Sequence, residues 1–135
     1  MGKKRRSYFS NRKWYRYHFF GTAFIEVLKE NSKIDATIAD ISFSGMGIYS
    51  PVPINKGKKV MVKISFINIS GKTCEDDVKG RIDWQRKFGN TYLVGIFFDE
   101  ELNLIKQPLL FKHLTELIDR YNWPQPYKDR RIAML

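Results

Sequence analysis

The sequence contains a single cysteine, Cys74, and only two histidines among 135 residues. One cysteine cannot form an internal disulfide, and no cysteine and histidine cluster has the spacing of a metal site. Apolar residues never run for the roughly 20 positions that a membrane-spanning helix requires. These absences exclude a disulfide-stapled domain, a zinc module and a transmembrane protein. We therefore expect a cytoplasmic protein without metal or cofactor.

Acidic residues are also scarce, 14 against 24 lysines and arginines, which gives a net charge of +10 and a pI near 9.8. A surplus of this size indicates an anionic partner, such as a nucleotide or a nucleic acid. Hydrophobic residues at 43% and aromatic residues at 15% are typical of a folded chain. A length of 135 residues suits one domain.

The chain divides into three parts by composition. Residues 1–10 form a basic arm that we expect to be flexible, residues 11–121 a single domain, and residues 122–135 a tail that begins beside Trp123 and Pro124. The domain reads as about six strands separated by turns. The predicted strands alternate apolar and polar residues, and they lie at Phe19–Lys29, Ile34–Ile38, Met46–Ser50, Lys58–Ile67, Cys74–Gln85 and Thr91–Phe98.

One helix is predicted after the strands. Pro108 suits a first helical position, and leucine and isoleucine recur at three and four residues from Leu110 to Ile118. The pattern predicts an amphipathic helix at about residues 107–121. The fold class is therefore mainly β, a small six-stranded antiparallel β-barrel with a C-terminal α-helix. The apolar stripe of the helix also leaves room for a homodimer.

Two short motifs carry candidate binding chemistry. Arg12 and Arg16 are four residues apart, so their side chains can point the same way in a strand or in a helix. Guanidinium groups bind phosphate oxygens or the guanine edge through two parallel hydrogen bonds. Downstream, Asp40, Ser42 and Gly45 follow the spacing Asp-x-Ser-x-x-Gly at the end of a predicted strand. A carboxylate can accept hydrogen bonds from guanine, which complements the arginines.

The two motifs, in this order and separated by two strands, resemble the PilZ domain family of bacterial cyclic di-GMP receptors. The family pattern falls on Arg12, Arg16, Asp40, Ser42 and Gly45, and the resemblance extends over roughly residues 11–121. It implies that the arginines clamp phosphate and guanine, that Asp40 and Ser42 read the base, and that Gly45 permits a close approach or a positive φ. Asn11 and Lys13 lie beside the clamp and are candidates for additional contacts.

The resemblance implies a stand-alone receptor that changes conformation on binding cyclic di-GMP and signals through a protein partner. Two alternatives stay open. One is a small basic barrel that binds nucleic acid, because aromatic and basic residues are interleaved in the segment that holds Tyr8, Phe9, Trp14, Tyr15 and Tyr17. The other is a PilZ-like adaptor that acts through protein contacts alone. No catalytic constellation is evident around His18, His113 or the serines, so we do not expect an enzyme.

Overall fold

Seven strands and one helix make up residues 17–120, the part of the chain that the computed structural model describes. The strands are β1 (Tyr17–His18), β2 (Gly21–Val27), β3 (Ser32–Ile41), β4 (Gly45–Ser50), β5 (Lys59–Ile67), β6 (Thr73–Phe88) and β7 (Thr91–Phe98). The helix is α1 (Pro108–Arg120).

Six of these strands close into an antiparallel barrel. The order of neighbours is β3, β2, β5, β6, β7 and β4, and the pairing of β4 with β3 closes the ring. The short β1 pairs with β3 beyond the end of β2, with Tyr17 opposite Ile41 and His18 opposite Asp40. Both β1 and β2 therefore line the same side of β3, interrupted at Phe19 and Phe20.

The core follows from the alternation of side chains along each strand. In β5, for example, Val60, Val62 and Ile64 are fully buried while Lys59 and Lys63 face solvent. Burying a side chain of this size contributes roughly 1.5–3 kcal/mol. The remaining inward residues of the strands include Ala23, Ile25, Val27, Ala36, Ile38, Ile41, Met46, Ile48, Cys74, Val78, Ile82, Val94, Ile96 and Phe98.

Two register shifts interrupt this alternation. One lies between Ile38 and Asp40, where β3 pairs with β4, and the other between Ile82 and Trp84, where β6 pairs with β7. Each is a β-bulge, in which an extra residue turns the following side chain to the other face of the sheet. Asp40 and Trp84 consequently lie on the outer surface of the barrel.

Helix α1 covers one end of the barrel with the face that carries Leu110, Leu114 and Ile118. Its first turn is tied to β6, because the main-chain N–H of Leu110 donates to Oδ2 of Asp76 at 2.7 Å. No helix within residues 17–120 combines the length and apolar character needed to cross a membrane.

The six-stranded barrel with a C-terminal helix confirms the predicted fold class, and α1 begins and ends within one residue of the predicted bounds. Cys74 and His113 are both buried. Strict alternation along the predicted strand Cys74–Gln85 would place Trp84 with Ile82 inside the barrel, whereas the bulge turns Trp84 outward. The two-residue strand β1 has no counterpart among the predicted strands.

Candidate functional site

Asp40 lies near the end of β3, on the outer surface of the barrel. Its Oδ1 accepts a 3.1 Å hydrogen bond from the main-chain N–H of Gly47 on the neighbouring strand β4. The carboxylate is half-buried, and this hydrogen bond fixes its orientation. Each carboxylate oxygen has two lone pairs, so a carboxylate such as that of Asp40 can accept more than one hydrogen bond.

Ser42 occupies the tight turn that joins β3 to β4, and its side chain is fully buried. Its hydroxyl accepts hydrogen bonds from the main-chain N–H groups of Ser44 and Gly45, each at 3.2 Å, and lies 3.2 Å from the carbonyl oxygen of Gly45. The N–H of Ser42 donates to the same carbonyl at 2.8 Å. These contacts make Ser42 the organiser of the turn that follows Asp40.

Gly45 begins β4 and is buried, opposite Phe97 of β7. The glycines with positive φ among residues 17–120 are Gly57, Gly71 and Gly89, all in turns. Of the two alternatives expected for Gly45, a positive φ is therefore excluded, and a close approach to the backbone stays a prediction. The N–H and carbonyl groups of Gly45 take part in the hydrogen bonds of the turn.

The other predicted site residues, Asn11, Arg12, Lys13 and Arg16, lie outside the described residues, as do the arm 1–10 and the tail 122–135. The described chain begins with β1, and the pairing of His18 with Asp40 brings the start of this strand to the candidate site. Residues 12–16, called the arginine segment below, directly precede β1 in the sequence.

A row of four residues crosses the outer surface beside this point. Asp40 on β3 is opposite Gly47 on β4, Gly47 is opposite Gly95 on β7, and Gly95 is opposite Trp84 on β6. We call this set the glycine row. A Cβ on Gly47 would lie 3.0 Å from Oδ1 of Asp40, and one on Gly95 would overlap the indole of Trp84. Gly95 is thus required by the indole that lies over it, whereas a Cβ on Gly47 would crowd the carboxylate of Asp40.

Gly47, Gly95 and Trp84 are not among the residues that the sequence motifs single out. The available signal was the position of both glycines inside apolar strands, because glycine within a strand often marks a place where another group approaches the backbone closely. A glycine in a strand does not show by itself which side chain approaches it. The partners, Asp40 and Trp84, become visible only with the strand register.

Aromatic and basic side chains surround the glycine row on strands β4, β6 and β7. The guanidinium carbon of Arg81 lies 5.1 Å from the ring centre of Phe97, and Tyr49 and Phe88 pack with ring centres 6.0 Å apart. Phe88 and Phe97 are exposed by more than a third of their surface. This face offers flat apolar groups and positive charge, which suits a planar anionic ligand.

Each segment of the candidate site also places one phenylalanine against the helix. Phe19, directly after β1, has its ring centre 5.7 Å from that of His113, and Phe43, in the Ser42 turn, lies 5.5 Å from Phe111. His113 in turn stacks on Phe66 at 4.7 Å. Burial lowers the pKa of His113 from its ordinary value of 6.5, against a smaller opposite effect of Glu116.

Within residues 17–120, no three His, Cys, Asp or Glu side chains come together as a metal-binding group. A cavity of about 340 Å³ is lined by residues of the β2–β3 turn and of the loop before β5, including Glu30, Lys33 and Lys58. Asp40, Ser42 and Gly45 do not line it, so this cavity is separate from the described part of the motif.

Comparisons with known proteins agree with the fold. The family model described as "PilZ domain" matches residues 10–116, which confirms the resemblance seen in the sequence. The Bacillus subtilis inhibitor of motility MotI/DgrA has a TM-score of 0.63 at 12% identity, over 80% of this chain and 52% of that one. The PilZ domain of Escherichia coli YcgR with c-di-GMP has a TM-score of 0.53 at 17% identity, over 82% and 97%.

At these identities the two structures share the fold with this chain. This chain spans about half of the MotI/DgrA chain, 52%. Among curated proteins, none matches the sequence.

Proposed function

The chain belongs to the PilZ domain family, and on that premise we propose that it is a receptor for cyclic di-GMP that passes the binding event to a protein partner. The proposed residues of the ligand site are Arg12, Arg16, Asp40, Ser42 and Gly45, with Asn11 and Lys13 as additional candidates. The proposal includes no catalytic role. A solved relative of the same fold, the YcgR domain, contains this ligand.

The observation that carries the proposal is the fixed carboxylate of Asp40 at the surface end of β3, beside the start of the described chain. Arg16 precedes His18 by two residues, and two peptide units span at most about 7.6 Å between Cα atoms. Since His18 is paired with Asp40, we propose that the segment before β1 brings the guanidinium group of Arg16 to that carboxylate. Guanidinium groups and a carboxylate that lie close together suit a ligand that has both phosphates and guanines.

Ser42 and Gly45 contribute through the turn in this proposal. The buried hydroxyl of Ser42 bonds to main-chain atoms of Ser44 and Gly45. We propose that it holds the turn in the shape that presents Asp40 and the adjacent main chain to the base. A site held by such supporting hydrogen bonds loses affinity when the supporting residue is removed, even without direct ligand contact.

A conformational output is supported by the two phenylalanines that contact α1. Phe19 follows the arginine segment and packs against His113, while Phe43 belongs to the Ser42 turn and packs against Phe111. We propose that ordering of the arginine segment around the ligand shifts these rings and with them the helix, which then presents a changed surface to a partner. The ligand would shift the equilibrium between the original and the changed position of the helix, because its affinity for the two positions differs.

Calorimetric titration tests the ligand. We expect saturable binding of cyclic di-GMP and no comparable heat with GMP, with cyclic di-AMP or with a short single-stranded DNA. Arg16→Ala and Asp40→Ala should each weaken binding by roughly tenfold or more, about 1.4 kcal/mol. Matched controls are Asp35→Ala, on the exposed part of the same strand, and Arg120→Ala, at the end of α1; both should bind like the parent chain.

Two outcomes would contradict the proposal. Salt-sensitive binding of single-stranded DNA without heat from the dinucleotide would indicate the basic nucleic-acid-binding barrel instead. Unchanged amide exchange in residues 5–16 at saturating ligand would contradict ordering of the arginine segment, even if the ligand binds.

A further inference from the structure

The cavity of about 340 Å³ between the β2–β3 turn and the loop before β5 has its own chemistry. Val27, which lines it, pairs with Val60 at one end of β5, whereas Phe66 at the other end of β5 stacks on His113 of α1. The cavity therefore lies at the end of the barrel away from α1. Its volume falls within the range of small-molecule sites, roughly 300–1,000 Å³.

Hydrogen bonds to the barrel hold both walls of this cavity. On one wall the main-chain N–H of Ile54 donates to Oε1 of Gln85 on β6 at 2.9 Å. On the other wall the N–H of Leu28, at the start of the β2–β3 turn, donates to the carbonyl of Lys59 on β5 at 2.9 Å. Neither wall is a free loop, so the shape of the cavity is set by the protein itself, as in most small-molecule sites.

The deeper part of the lining is apolar. Val27 and Ile54 are only 3% and 4% exposed, and Ile34 is half-buried against the same core. Val52 and Pro53 are exposed and line the cavity where it opens to solvent. These side chains carry no hydrogen-bonding group, so they favour an apolar part of a ligand, which gains free energy when it leaves water.

The polar part of the lining has more hydrogen-bond donors than acceptors. Lys33 and Lys58 contribute ammonium groups, Ser32 a hydroxyl and Asn55 an amide. Glu30 is the only carboxylate among the described lining residues, and it forms an ion pair with Lys58. The side chains of Ser32, Lys33 and Asn55 have no hydrogen bond or ion pair within residues 17–120. Two lysines against one glutamate suit a ligand with a single negative charge.

We propose that this cavity is a second ligand site, which binds a small carboxylate with an apolar chain, such as octanoate. The apolar chain packs against the deeper lining, and the carboxylate accepts hydrogen bonds from Lys33 and Lys58. Lys58 exchanges its ion pair with Glu30 for one with the ligand. The positive charge selects an anion over a cation, and the apolar lining selects an anion with a chain over an inorganic one. The inference goes beyond the proposed function, because it assigns these residues no role in binding cyclic di-GMP.

Amide chemical shifts of the full chain, followed by NMR during titration with octanoate, test the site. We expect saturable shifts in residues 27–34 and 52–58, with a dissociation constant on the order of 1 mM or below. Octylammonium should cause no saturable shift in these residues, because it has the same chain and the opposite charge. The site is overturned if octanoate causes no saturable shift there, or if octylammonium binds equally well.

A series of chain lengths tests the apolar lining. Each methylene group that becomes fully buried should raise the affinity roughly fourfold at most, so affinity should increase from acetate through butanoate and hexanoate to octanoate. Equal affinities for acetate and octanoate would mean that the lysines bind any anion, which would overturn the role of the apolar lining.

Charge variants test the polar lining. Lys58→Met and Lys33→Met keep an apolar stem and remove the charge, and each should weaken octanoate binding roughly threefold or more. Glu30→Gln should strengthen it, because Lys58 loses its competing partner. The matched control is Lys63→Met, at an exposed position of β5 outside the cavity, which should bind like the parent chain. Equal losses in Lys58→Met and Lys63→Met, or weaker binding in Glu30→Gln, would contradict the assignment. Thermal unfolding establishes that each variant is folded at the temperature of the titration.

The two sites can be tested separately. Ile34 lies six residues before Asp40 on β3, which at roughly 3.3 Å per residue separates the cavity from the motif by about 20 Å. Arg16→Ala should therefore bind octanoate like the parent chain. If the parent chain binds cyclic di-GMP but not octanoate, the receptor stands and the second site is overturned. If hexaglutamate shifts residues 27–34 and 52–58 while octanoate does not, the cavity belongs to an acidic protein partner, and the proposal is likewise overturned.

Discussion

Asp76 on β6 and Leu110 in the first turn of α1 are joined by a 2.7 Å hydrogen bond from the main-chain N–H of Leu110 to Oδ2. The first N–H groups of a helix lack partners within the helix, and a carboxylate near them is also favoured by the helix dipole. Asp76 therefore caps α1 from a strand, although 34 residues separate the two in sequence. This contact ties the first turn of α1 to β6, in addition to the apolar packing of Leu110, Leu114 and Ile118.

Asp76→Ala should destabilise the protein by about 1–2 kcal/mol, since it leaves an N–H group of the helix start without its acceptor. Asp76→Asn should lose less, because the amide oxygen can still accept. Urea unfolding followed by circular dichroism measures both. Asp77→Ala is the control. The main-chain carbonyl of Asp77 accepts a hydrogen bond from the side chain of Gln107, and the substitution leaves this carbonyl in place. Equal losses for Asp76→Ala and Asp77→Ala would contradict the capping role.

Protonation of His113 should destabilise the folded chain. Burial lowers its pKa below 6.5, so the unfolded chain binds this proton more readily than the folded one. The contribution of neutral His113 to the free energy of unfolding is fully present above about pH 6.5. It is lost as the pH falls through that value toward the lowered pKa of the folded chain. Melting temperatures between about pH 7.5 and pH 5 should decline less steeply in His113→Phe, which keeps a ring against Phe19 and Phe66.

The comparison with His113→Phe isolates one titration, because His18 and every carboxylate are common to both chains. Parallel declines in the two proteins would mean that His113 does not carry the pH dependence. Among residues 17–120, Nδ1 of His113 is a buried side-chain atom without a hydrogen-bond partner. Its replacement by a carbon atom therefore removes no hydrogen bond within the described part of the chain.

Ser42→Ala should cost about 1–3 kcal/mol of stability, because it removes the acceptor of two main-chain N–H groups in a buried turn. It should also weaken cyclic di-GMP binding, since the turn follows Asp40 directly. Ser44→Ala is a matched control: its hydroxyl makes only a long 3.4 Å contact to Ser42 among the hydrogen bonds described here. A stable Ser42→Ala protein with unchanged affinity would show that the turn keeps its shape without this hydroxyl.

Strand periodicity was enough to predict the barrel and the helix, but not the surface around Asp40. In β5 the pattern from Val60 to Phe66 is uninterrupted, and the predicted inner face is the observed one. In β6 the same reasoning fails after Ile82, because one extra residue reverses the faces and no turn residue marks the place. A bulge is decided by pairing with the neighbouring strand, which local sequence does not contain.

The motif spacing has the same limit. It located Asp40 and Ser42 in the chain but did not predict their environments. Asp40 lies at the surface because of the bulge in β3, and Ser42 is fully buried because of the turn between β3 and β4. The contact between Asp76 and Leu110 was equally beyond reach, because it joins distant segments. Gln107, whose side chain bonds to the main chain of Asp77 and of Asn103, belongs to the same long-range set.

Phe43→Leu should separate ligand binding from its effect on the helix. Phe43 belongs to the Ser42 turn and meets the ring of Phe111 at 5.5 Å, and its carbonyl accepts from Leu102 at 2.8 Å. The substitution keeps the main-chain bond and an apolar side chain but removes the ring contact. Affinity for cyclic di-GMP should stay within about threefold of the parent chain, less than 1 kcal/mol.

The readout is amide exchange in α1, compared with and without saturating cyclic di-GMP. If Phe43 transmits the binding event, the ligand-induced change in the amide exchange of α1 will be clearly smaller in Phe43→Leu than in the parent chain. In the control Phe24→Leu, at an exposed position of β2, this change should equal that of the parent chain. A change of the same size in all three proteins would mean that the helix responds by another route. Phe19, which follows β1, also contacts α1 through His113. Phe19→Leu then tests this second contact by the same measurement.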